Sequence, residues 1–189
     1  DAAIGHVRYS TSGDSDLRNA HPIVASTQHG EIALGHNGNL VNTCTLRAEF
    51  EQAGQIFTTT TDTEIIAKIL MDEISRSGIV EDAVQVCMRK LRGSYSVVMM
   101  IDGVLYAFRD PLGIKPFCIG KIENGYIVAS ESVAVDALGG KLLRDVKPGE
   151  LIRIERELSD IEFYCRFLVT NELFRARVMP EWREAFADT

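Results

Sequence analysis

The spacing of apolar residues changes twice along this 189-residue chain, and that change restricts the fold more than any other feature. Early on, strand-like runs over 3–9, 22–27 and 31–36 are joined by polar and glycine-rich segments. Helical spacing then takes over. Leu46, Phe50 and Ala53 mark one buried face, with Gly54 as a stop. Thr61-Asp62-Thr63-Glu64 has the order of a capped helix start, and Ile65, Ile66, Ile69, Leu70 and Ile74 form the apolar stripe behind it, ending at Ser77-Gly78. A third helix is predicted over about 80–91, stopping at Gly93. After Gly93 the period is that of strands. Runs 94–101 and 104–109 flank Asp102-Gly103, and runs 116–121 and 126–130 flank Asn124-Gly125, two hairpin signals. A short helix over 132–138 and strands over 141–146 and 150–154, around Lys147-Pro148-Gly149, complete the pattern. Strands, then helices, then strands predict an α+β fold with sheets packed together and helices outside.

Composition narrows the class. With 46% hydrophobic residues the chain can bury one sizeable core. Twenty Lys and Arg against 27 Asp and Glu give a net charge of −7 without a basic block, which argues against a nucleic-acid partner. Cys44, Cys87, Cys118 and Cys165 lie apart without metal-ligand spacing, so neither a metal site nor a disulfide framework is expected, and a reducing cytoplasmic setting fits. The longest apolar runs, such as 97–101, fall far short of the roughly 20 residues of a membrane span, so no membrane partner is expected. The chain opens without methionine on what reads as a strand in progress, and an amino-terminal truncation is expected.

Three stretches carry chemistry. In "GHNGNL", Gly38 lets a backbone N–H approach a ligand with no Cβ in the way, and Asn37 offers a side-chain amide beside it. Two donors aimed at one point make an oxyanion hole, each worth roughly 3 kcal/mol in acyl transfer; Asn-Gly is equally a strong turn signal. In "GHVRYSTSG", Arg8 suits a bidentate carboxylate clamp with Thr11 as hydroxyl partner, or a solvent-facing edge position. Asp62 is placed as a helix cap, but a carboxylate there also suits an ammonium group. His6 and His36 read as packed imidazoles, since neither has an orienting partner nearby in sequence. An arginine for a carboxylate, an aspartate for an α-ammonium and two donors at a carbonyl together describe a glutamine or asparagine site.

The segments "GHVRYSTSG", "NAHPI", "HNGNLVN", "TTTDTE", "RDPLGIKP", "VASES" and "RDVKPGE" occur in the order found in the glutaminase domain of the amidophosphoribosyltransferase family, which the chain resembles from about residue 3 to about 154. The resemblance implies a class II glutamine amidotransferase with the four-layer αββα sandwich of the Ntn-hydrolase (amino-terminal-nucleophile) type, truncated at the amino terminus. It implies that Arg8 binds the glutamine α-carboxylate with Thr11 assisting, that Asp62 binds the α-ammonium, and that Asn37 and the Gly38 N–H form the oxyanion hole. Arg109, Asp110, Gly113 and Lys115 would be structural or inter-domain.

By the same resemblance, residues 1–157 form an incomplete type-2 amidotransferase domain and 158–189 a divergent tail. Glutamine and a phosphoribosyltransferase domain would be partners, a homo-oligomer would form in the complete enzyme, and ammonia would convert phosphoribosyl pyrophosphate to phosphoribosylamine in purine synthesis. No cofactor is expected in this domain, and Mg2+ would belong to the transferase domain. The family's nucleophile is a cysteine at the mature amino terminus, whereas this chain starts with Asp1, so the polypeptide as written is expected to lack glutaminase activity. A glucosamine-6-phosphate synthase or asparagine synthetase type of amidotransferase, or a catalytically dead relative, are the alternative readings.

Overall fold

The computed structural model describes residues 2–8, 16–27, 30–123 and 125–155. After a 3-10 turn at Leu17–Asn19 come β1 (Ile23–Thr27), β2 (Gly30–Leu40), α1 (Thr43–Gln52), α2 (Thr63–Ser77) and α3 (Val80–Lys90). Then follow β3 (Gly93–Ile101), β4 (Val104–Arg109), β5 (Cys118–Ile122), β6 (Gly125–Ala129), α4 (Ser132–Ala137), β7 (Lys141–Asp145) and β8 (Leu151–Ile154). Among the described residues these strands form a five-stranded sheet, β1-β2-β3-β4-β8, and a three-stranded sheet, β6-β5-β7, with every neighbouring pair antiparallel.

Alternation along the strands sorts side chains between two cores. Leu34, Met99 and Phe108 of the larger sheet meet Ile65, Ile69 and Leu70 of α2, all fully buried. On the opposite face Ala107 and Ile152 meet Phe117 and Ile119, with Val98 and Val128 packed against them. Helix α4 lies across the far side of the smaller sheet, against β5, β6 and β7. The order of layers is therefore helices, sheet, sheet, helix: the αββα sandwich expected from the sequence. The four helical and most of the strand boundaries fall within two residues of the predicted ones. The Asp102-Gly103 hairpin has the two positive φ angles, 51° and 78°, that a type I′ turn requires.

Two expectations fail. Residues 2–8 form no strand, although their pattern is strand-like; a strand persists only where a ladder partner runs beside it, and this segment pairs with neither sheet. Conversely β2 does not end at residue 36. It continues through Asn37 and Gly38 to Leu40, because β3 runs alongside it and pairs Asn37 with Ser96 and Gly38 with Tyr95. The Asn-Gly dipeptide is mid-strand, not a turn.

The "RDPLGIKP" segment is a locked corner. Asp110 is fully buried, and its carboxylate accepts from the N–H groups of Leu112 at 3.0 Å and Ile114 at 3.1 Å. Arg109 donates to the carbonyls of Lys115 at 2.7 Å and Gly113 at 2.8 Å. Each side chain replaces the backbone partners that a loop leaving a sheet loses. "RDVKPGE" closes in the same way. Arg144 forms a two-pronged pair with the buried Glu150 carboxylate, at 2.7 and 2.8 Å, and that carboxylate also accepts the Lys147 N–H at 2.6 Å.

Candidate active site

A cleft of about 1460 Å³ opens between the two sheets, and Arg8, Asn37, Gly38 and Asp62 all line it. Three separate segments meet there: the amino-terminal stretch carries Arg8, β2 carries Asn37 and Gly38, and the start of α2 carries Asp62. Thr11, the fifth residue singled out in the sequence, lies outside the described residues. The cleft is larger than one amino acid needs, because it runs on from this polar end along apolar walls that include Val98, Phe117 and Val128.

Gly38 is demanded by its neighbours in the sheet. A Cβ at this position would sit 2.1 Å from the Ser94 carbonyl oxygen and 2.8 Å from both Tyr95 Cα and His36 Nε2. Asn37, one residue earlier, is exposed.

Asp62 occupies the N-cap position of α2 but makes no capping hydrogen bond. Its carboxylate turns inward instead. Oδ2 accepts the Leu40 N–H at 3.1 Å, and Oδ1 lies 3.4 Å from His36 Nδ1, while the residue is only 4% exposed. Glu64 does not close a capping box either. It reaches backwards, accepting the Thr58 N–H at 2.9 Å and the Thr59 N–H at 2.7 Å. Burial raises the Glu64 pKa, but these bonds and those from the two threonine hydroxyls outweigh it, so the carboxyl titrates below its ordinary range.

Histidines fill the space between these groups. His36 is oriented through Nδ1, which lies 3.2 Å from Thr63 Oγ1, a partner 27 residues away that its local sequence does not reveal. His6 and His21, both at the cleft, stack edge to face with ring centroids 4.8 Å apart. Burial pushes the His21 pKa down to about 4, helped by the nearby His6, His36 and Arg8 and opposed by Asp62. His6 is lowered as well, chiefly by burial. His21 and Asn19, both inside the "NAHPI" motif, went unassigned in the sequence, where nothing local marks them. Among the described residues no group of three or more His, Cys, Asp or Glu side chains is arranged to hold a metal ion, and no helix is long and apolar enough to cross a membrane.

A family model described as a glutamine amidotransferase domain matches residues 6–137. The chain belongs to the glutamine amidotransferase domain family. Among curated proteins, the domain is 48% identical to the amidophosphoribosyltransferase of Archaeoglobus fulgidus over 162 residues, which cover 86% of this chain and 35% of that protein. It is 43% identical to the enzyme of the same name from Methanocaldococcus jannaschii over 80% of this chain and 32% of that one. Among solved structures, glutamine phosphoribosylpyrophosphate amidotransferase from B. subtilis, complexed with ADP and GMP, superposes with a TM-score of 0.74 at 37% identity, over 84% of this chain and 34% of that chain. The domain thus spans about a third of the length of the relatives it matches.

Among the described residues no cysteine lines the cleft. Cys87 and Cys118 are buried, and burial raises the pKa of both thiols; Cys44 is exposed on α1. Cys165 lies outside the described residues.

Proposed function

We propose that the domain is the glutaminase part of an amidophosphoribosyltransferase, releasing ammonia from glutamine for transfer to phosphoribosyl pyrophosphate in purine synthesis. The observation that carries this reading is the common cleft of Arg8, Asn37, Gly38 and Asp62, with the Asp62 carboxylate turned away from its own helix. In this reading the Arg8 guanidinium clamps the α-carboxylate of glutamine with Thr11 beside it, and the Asp62 carboxylate takes the α-ammonium. The side-chain carbonyl then points at Asn37 Nδ2 and the Gly38 N–H.

Attack by a thiolate on that carbonyl carbon forms a tetrahedral oxyanion, which the two donors stabilise. Collapse breaks the C–N bond, releases ammonia and leaves a thioester, which water hydrolyses to glutamate and the free thiol. The thiolate would come from a cysteine at the mature amino terminus of the full-length enzyme, its α-amine taking up the proton. A fused phosphoribosyltransferase domain would consume the ammonia, and Mg2+ would act there.

The full-length protein tests the reading. Arg8→Ala raises the KM for glutamine while phosphoribosylamine formation from free ammonia survives. Asn37→Ala lowers glutaminase kcat by about two to three orders of magnitude, as loss of an oxyanion donor does. Equal loss of the ammonia-dependent and glutamine-dependent rates in Arg8→Ala, or a wild-type protein inert towards glutamine, would refute it.

A further inference from the structure

Arg8 and Asp62 reach the cleft from segments far apart in sequence, and a clamp for an amino acid works only if their separation is fixed. The described residues between them include a short bridge. Asn19, 2% exposed, closes a two-way amide clasp on the loop that leads into α2: its Nδ2 donates to Thr60 Oγ1 at 2.9 Å, and its Oδ1 accepts the Thr60 N–H at 3.1 Å. Thr60 stands two residues before Asp62. Two residues after Asn19, the His21 ring packs edge to face on His6, which stands two residues before Arg8. The bridge is itself braced at its start. Asp16 accepts the Arg18 N–H at 3.0 Å through Oδ1, and the Asn19 N–H bonds back to the Asp16 carbonyl at 2.9 Å. From the other side, Glu64 holds Thr58 and Thr59 of the same loop.

We infer that Asn19 is a positioning residue for amino-acid binding: through its clasp on Thr60, and with His21 against His6, it sets the span between the Arg8 and Asp62 arms of the clamp. This rests on the glutamine reading of the cleft proposed above. Asn19 does not line the cleft, so its effect is on geometry, not on contact with substrate.

The test uses the full-length protein with glutamine and, separately, ammonia as nitrogen donor. Asn19→Leu, of similar size but unable to clasp Thr60, raises the KM for glutamine about tenfold, the worth of one to two lost hydrogen bonds. Its kcat at saturating glutamine and its ammonia-dependent rate stay within about twofold of wild type. Asn19→Asp keeps an acceptor for the Thr60 N–H and can take the Thr60 hydroxyl proton, and it restores most of the KM. Should the leucine variant fail to fold, the partly exposed partner carries the test: Thr60→Val removes the hydroxyl half of the clasp and shifts KM in the same direction. An unchanged KM in a folded variant, or parallel loss of both nitrogen-donor activities, overturns the inference. Arg8→Ala measured alongside separates the two ideas: if it raises KM and Asn19→Leu does not, the clamp stands and the bridge falls, and if neither moves KM, the glutamine reading itself has failed.

Discussion

Gly38 and Asn37 are adjacent and carry one proposed function, yet their substitution should act through different physics. Gly38→Ala drives a methyl group into the Ser94 carbonyl, which belongs to the paired strand and cannot move aside. The cost is about 3 kcal/mol of folding stability, readable as a lowered midpoint in denaturant unfolding. Asn37 is exposed, and Asn37→Ala should leave that midpoint within about 0.5 kcal/mol of wild type. A neutral Gly38→Ala would mean that the strand relaxes locally. Local sequence is ambiguous at this scale. The turn preference of Asn-Gly is real, but it is overruled by β3, more than 50 residues downstream. The capping preference of Asp62 is likewise overruled by the Leu40 N–H and the His36 ring, both on β2. Residue types suggest the chemistry, and partners distant in sequence decide how each side chain is held.

Elements were far more legible, because periodicity is a property of many residues at once. The α2 stripe predicts both the helix and its buried face, and Ile69, fully buried in the centre of the larger core, is its clearest test. Ile69→Ala should cost about 2–5 kcal/mol, measured by chemical denaturation with the slope unchanged; a cost below 1 kcal/mol would mean that the helix layer closes over the void. Hairpin dipeptides placed their strands for the same reason: the turn and the alternation on both sides of it agree. What failed was the strand expected over 3–9: for its described part, 3–8, alternation is present and a partner strand among the described residues is not. An apolar alternation states what a strand would bury and says nothing of what it would pair with.

For the molecule as a whole, acid should loosen the layer arrangement before it touches the apolar cores. His21 and His6 titrate below their ordinary range in the folded protein, His21 at about 4 against 6.5 for an unperturbed imidazole. Between those values the unfolded chain binds a proton that the folded chain refuses, so the stability present above about pH 6.5 is progressively lost as pH falls towards 4. Glu64, also lowered, extends the loss below its own ordinary value of 4.5. Thermal midpoints recorded between pH 7 and pH 4.5 should therefore decline, and His21→Gln should flatten the decline. An identical slope in the variant would assign the acid sensitivity to other groups. None of this was visible in the sequence, where the two imidazoles stand 15 positions apart and acquire their shared burial only when the chain is folded.

Asn37 and Gly38 sit in the later half of β2, beyond Leu34, the last residue paired with β1, and are stitched along one side to β3. A pair held in this way has no hinge of its own. It shifts only if the β2–β3 ladder opens, so under the proposed glutamine reading any restraint on amide cleavage would act on the Arg8 and Asp62 arms and leave that ladder alone.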